Sequence, residues 1–85
     1  MKATVQINYK AWEAPTLYVF CIDFDVIPHQ NDTLEIEYKG KIIQASVYNV
    51  TQRLTVNPDS NSKPKFFIRA FQTRECNVEN RHFLD

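Results

Sequence analysis

At 85 residues the chain has room for one domain, and a domain this small buries only about 60 to 65 % of its unfolded surface. Ten basic and ten acidic side chains cancel, which excludes a strong overall field drawing the molecule onto nucleic acid or an anionic membrane. The apolar content is too high for disorder, and the longest mainly apolar run, 17–24, contains Asp23 and falls well short of the roughly 20 residues that a bilayer-crossing helix needs.

The cancellation is uneven along the chain. Residues 1–40 set three lysines against six carboxylates, and residues 41–85 set seven cations against four carboxylates, so a molecule with an acidic and a basic pole is one expectation. Cys21 and Cys76 lie far apart and form no C-x-x-C pair. The opening MKATVQINYK lacks the apolar core of a secretion signal, so reduced thiols and a cytoplasmic setting are expected.

Ala3, Val5, Ile7 and Tyr9 alternate with polar residues, which predicts a half-buried strand over 2–9. Trp12 follows in a segment that Pro15 keeps from becoming helical. The next strand, 16–24, is apolar at both parities, with Leu17, Val19 and Cys21 on one face and Tyr18, Phe20, Ile22 and Phe24 on the other. Pro28, Asn31 and Asp32 then mark a loop.

Leu34, Ile36 and Tyr38 alternate with Glu35 and Glu37 over a strand predicted at 33–38. Lys39-Gly40-Lys41 turns the chain, and the lone glycine is expected at the left-handed position of a short turn with a bulge. The return strand, 41–55, changes its dominant apolar parity near Tyr48, which predicts a bulge or sharp bend there. NPDSNSKP, 57–64, reads as a loop. The last strand, 65–71, is again apolar on both faces, with Phe67 and Phe71 opposite Phe66, Ile68 and Ala70. The remainder, 72–85, is expected to be a tail on the barrel or on a partner, either extended or opening a short helix capped by Thr73.

These elements predict an all-β fold, a small five-stranded open barrel of SH3-like or OB-like type over 1–71 with a C-terminal tail or short helix. The order F-x-x-I-P-x-x-x-D-x-L-x-I-x-x-K-G-K followed by A-x-V-x-x-V is similar to short β-barrel proteins encoded by phages and mobile elements, including some virion connector proteins. The similarity covers about a third of the chain and implies a phage-related adaptor, virion component or inhibitor of a host protein, acting in the host cytoplasm or in the virion. It consists of turn chemistry, so it assigns no functional residue.

For chemistry the sequence offers little. Cys21, Cys76, His29 and His82 are zinc-type ligands without the close pairing of structural sites. Asp23, Asp25 and Asp32 lack the dense alternation and central glycine of a calcium loop, and a single glycine leaves no phosphate-binding loop. The expectation is a non-catalytic protein without metal or cofactor. Because strands 16–24 and 65–71 are apolar on both faces, one face fills the barrel and the other needs cover. A partner protein or a second copy of the chain is the leading expectation, with Trp12, Tyr18, Phe20, Ile22, Tyr48, Arg53, Phe66 and Arg69 as candidate contact residues. The alternative is single-stranded nucleic acid stacked on Tyr18, Phe20, Tyr48 and Phe66 beside Arg53, Lys65 and Arg69.

Overall fold

In the computed structural model, which describes residues 1–11, 14–54 and 65–78, the chain is all-β. Its strands are β1 (Lys2–Tyr9), β2 (Thr16–Asp23), β3 (Thr33–Tyr38), β4 (Lys41–Arg53) and β5 (Lys65–Asn77). They form one five-stranded sheet in the order β2-β1-β5-β4-β3, curled into a half-barrel in keeping with the small open barrels of SH3-like or OB-like type. Two antiparallel units, β1–β2 and β3–β4–β5, are joined by a parallel pairing of β1 with β5. That parallel seam is long-range and leaves no local mark on the sequence.

Side-chain parity decides what lies inside the curl. Ala3, Val5 and Ile7 of β1, Ile43, Ala45 and Val47 of β4, and Ile68 and Ala70 of β5 form the buried cluster. Small alanines beside isoleucines let strongly curved strands approach without leaving voids. Tyr18, Phe20 and Ile22 of β2 and Leu34, Ile36 and Tyr38 of β3 pack on the cluster from the two lips. The lips meet through rings, Phe20 lying 4.8 Å and Tyr18 6.0 Å from Tyr38, centroid to centroid. Between the lips runs the segment 24–32, which sets Phe24 and Ile27 against the same cluster. It is pinned by Asn31 N–H donating to Val47 O at 2.7 Å and by His29 N–H donating to Asp32 Oδ2 at 2.8 Å. Among the described residues, curl and crossing loop together cover the inner face without a helix.

At Val47/Asn49 the β4–β5 register shifts, with Tyr48 as the extra residue of the β4 strand, the bulge that the change of apolar parity predicts. A second shift puts Gln44 opposite Arg74 and Ala45 opposite Gln72; the extra residue, Thr73, donates its hydroxyl to Gln44 O at 3.1 Å. Thr73 therefore caps no helix. β5 continues to Asn77, because its far half is held by the equally long β4 even where β1 has ended. The strand thus runs six residues past the end that alternation suggests, since a bulge resets the parity on which alternation depends. Trp12, the 57–64 loop and residues 79–85 lie outside the described residues.

The β3–β4 turn is tighter than expected. Tyr38 pairs with Lys41, and Lys39 and Gly40 have φ of 49° and 77°, a two-residue turn with both central residues left-handed and no bulge. A Cβ at Gly40 would meet nothing within 4 Å, so Gly40→Val should cost backbone strain alone, about 1 to 3 kcal/mol. Lys39→Asn should instead stabilise by about 0.5 to 1 kcal/mol, because asparagine tolerates this geometry. Paired urea titrations check both, and an unchanged midpoint in Gly40→Val would place the left-handed residue elsewhere.

Candidate functional site

The residues singled out from sequence divide between the two faces. Tyr18, Phe20, Ile22 and Phe66 pack against the inner cluster and are committed to the fold. Tyr48 stacks on Phe71, ring centroids 6.2 Å apart, and its hydroxyl accepts from Asn8 Nδ2 at 3.2 Å. Arg53 and Arg69 are exposed on the outer face. Asn8, only 3 % exposed, anchors a polar cluster there: its Oδ1 accepts from Thr16 Oγ1 at 3.1 Å and from Gln6 Nε2 at 3.2 Å. This network ties β1, β2 and β4 together outside the core.

The two sheet edges differ. Met1 and Phe24 exchange both backbone hydrogen bonds at 2.7 Å, so by the two-residue alternation of an antiparallel ladder Val19 and Cys21 turn their N–H and C=O away from β1. From Thr16 to Ile22 this edge carries no charge, and Val19 is 64 % and Leu17 43 % exposed. Asp23 closes the stretch with its carboxylate 2.8 Å from the amino terminus. On β3, Val47 N–H donates to Asp32 O at 2.9 Å, which by the same alternation leaves Glu35 and Glu37 pointing their backbone outward. Their charges guard that edge against pairing. Among the described residues the β2 edge has no such guard.

The outer face is the second surface. In register, Cys21, Thr4, Phe67 and Thr51 form one row across it, and Val19, Gln6, Arg69 and Asn49 the next. Charge is segregated by strand: β1, β4 and β5 hold six cations and one carboxylate, Glu75. Glu75 pairs with the buried Ile43 and so stands on the inner side of the sheet, where Lys41 Nζ engages it at 3.0 Å and the Tyr18 hydroxyl at 3.4 Å. Two shallow grooves of ≈ 320 and ≈ 310 Å³ meet at Thr4 and Phe67. Lys2 and Lys65 flank the first and Arg53 and Arg69 the second, and among the described residues no carboxylate lines either. The Arg53 guanidinium lies 4.9 Å from the centroid of the Phe67 ring.

Sequence reasoning picked Phe66, but Phe66 and Phe67 are both half-buried, Phe66 against the inner cluster and Phe67 on the outer face in the row of Thr4 and Thr51. The signal was present in the parity: Phe66, Ile68 and Ala70 are uniformly apolar, whereas Phe67 and Phe71 alternate with Lys65 and Arg69. A face that mixes cations with rings is the wet one.

Lys41 is held above the usual lysine range by its hydrogen bond and attraction to Glu75. A raised folded value means that its contribution is complete below the unfolded pKa of about 10.4 and is lost as pH rises through the folded one. The stability difference between the wild type and Lys41→Met should therefore be constant from neutral pH into the mildly alkaline range and vanish at higher pH, as thermal melts would show. Asp23 is held below the carboxylate range by the hydrogen bond and charge of the amino terminus, so its contribution is lost as pH falls through that lowered value.

Cys21 and Cys76 are free thiols, the first exposed and the second half-buried. Cys21 stands in the row of Phe67, nine strand positions from Cys76, roughly 30 Å, so no disulfide joins them. Thiol titration should find two reactive groups in denaturant and Cys21 reacting first in the native protein; a single native thiol that is not Cys21 would contradict the placement. Among the described residues no three of His, Cys, Asp and Glu gather as metal ligands, and no helix is long and apolar enough to cross a membrane.

No protein-family model, no curated protein and no solved structure matches the chain.

Proposed function

We propose that the protein is a small non-catalytic binding module that takes up an extended segment of another protein chain at the open edge of β2. The observation that carries this reading is the asymmetry of the edges: β3 presents Glu35 and Glu37, whereas β2 presents outward-turned backbone at Val19 and Cys21 in a stretch without charge. Strand addition gains backbone hydrogen bonds along such an edge, and alternate side chains supply selectivity. The fitting segment is itself uncharged and apolar at alternate positions, so that it covers Val19 and Leu17 while its other parity continues the inner face. The sequence similarity to short barrels of phages and mobile elements supports an adaptor or virion component, or an inhibitor that docks on a host protein.

The test is sedimentation of the purified protein over a wide concentration range, together with recovery of a stoichiometric partner from extracts of the native host at moderate salt. Recovery that survives salt and is lost when Val19 is replaced by lysine supports the reading. Self-association lost in the same variant would identify the partner as a second copy. A monomer that captures nothing, or a partner indifferent to Val19, overturns it.

A further inference from the structure

We infer that the outer face of β1, β5 and β4 is a binding site for single-stranded nucleic acid, with Phe67 as its stacking platform. The zero net charge of the chain conceals this face: among the described residues Asp23, Asp25, Asp32, Glu35 and Glu37 lie in β2, the crossing loop and β3, while Lys2, Arg53, Lys65, Arg69 and Arg74 share the outer face of the three central strands. The one described carboxylate of those strands, Glu75, stands opposite the buried Ile43 and bonds Lys41 and Tyr18 on the inner side of the sheet. Among the described residues, a polyanion laid across this face of the central strands therefore meets cations and no carboxylate, and two grooves that meet at Phe67 offer it a track bounded by Lys2 and Lys65 on one side and by Arg53 and Arg69 on the other.

The chemistry selects a single strand. A base with a free π-face can stack on Phe67, the position now held by the Arg53 guanidinium at 4.9 Å; displaced by a base, Arg53 swings to a phosphate. Thr4, Gln6 and Thr51 line the grooves beside it and supply donors and acceptors to base edges. A duplex keeps its bases stacked on one another and cannot use the platform. A protein partner recruited here by charge would have to be strongly acidic and would gain nothing from the stacking position. The site adjoins the β2 edge at Cys21, which lines the first groove, but Val19 lines neither groove, so Val19→Lys tests strand addition separately.

The experiment is fluorescence anisotropy of labelled oligothymidylate and oligouridylate of about 12 nucleotides, with a duplex of equal length as comparator, between about 50 and 200 mM salt. Binding of at least one single strand in preference to the duplex is expected, with log K falling against log salt at a slope of about −3, the value for four phosphate contacts on a single strand. Phe67→Ala should weaken binding about 5- to 150-fold. Arg69→Gln, an exposed substitution that leaves the core untouched, should make the slope shallower by about 0.7. Circular dichroism and melting temperature of each variant show that the fold is retained. Absence of binding to both single strands at the lowest salt, duplex binding as tight as single-strand binding, or binding indifferent to both substitutions overturns the inference.

Discussion

Ile43→Ala should remove about 2 to 5 kcal/mol of folding stability, the range for truncating a fully buried isoleucine. Ile43 has no accessible surface, sits near the start of β4 between β3 and β5 and belongs to a cluster that takes its residues from three strands. Among the described residues no helix stands behind the sheet to collapse into the void, so little of the loss is recovered. A domain of 85 residues carries roughly 4 to 13 kcal/mol in all, so the variant forfeits a large share. Its melting temperature should fall by roughly 10 to 30 °C. Val19→Ala, on the open edge, should stay within about 0.5 kcal/mol of the wild type. Chemical denaturation of the pair decides the matter: equal midpoints would mean that the inner and outer faces of the sheet are reversed.

Val19→Lys is expected to reduce capture of a protein partner by at least about tenfold, equivalent to 1.4 kcal/mol, while leaving the melting temperature nearly unchanged. Lysine on an edge strand discourages pairing because an added strand must desolvate the ammonium group or bend around it. The complementary change acts on the other lip. Glu35→Thr combined with Glu37→Thr removes the two charges that guard β3 and raises its strand propensity, so concentration-dependent association through β3 should appear where the wild type shows none by that route. Sedimentation of the four proteins, wild type, each variant and their combination, separates the edges. If Val19→Lys captures its partner as well as the wild type does, strand addition at β2 is not the mode of binding, whatever the outer face does with nucleic acid.

The positions of β1, β2 and β3 were legible because each is a short run whose alternation is uninterrupted from end to end. Tyr48 announced its bulge for a related reason: Ile43, Ala45 and Val47 share one parity and Val50 the other, which only an extra residue reconciles with a single core. The end of β5 was not legible. The bulge at Thr73 breaks the alternation, and Gln72 to Asn77 contain no apolar residue except Cys76 that would restore it. Their strand conformation comes from backbone pairing with β4, which any sequence without proline can provide.

The candidate site divides in the same way. That Tyr18, Phe20 and Ile22 oppose Leu17, Val19 and Cys21 follows from parity alone, and so does the pairing of Phe67 and Phe71 with Lys65 and Arg69 on one face of β5. Which face turns inward, and which strands stand next to one another, are consequences of tertiary structure. The parallel pairing of β1 with β5 places Thr4 and Gln6 beside Phe67 and Arg69, residues more than sixty positions apart in a chain whose turns say nothing about that contact. It also makes β2 and β3 the edges, one guarded and one open. Composition and alternation thus determined the class of fold, the strand faces and the left-handed glycine, since these depend on each residue and its near neighbours. The order of strands decided where the cations gather and which edge is left bare, because closing a long loop is rewarded only by the packed core that it completes.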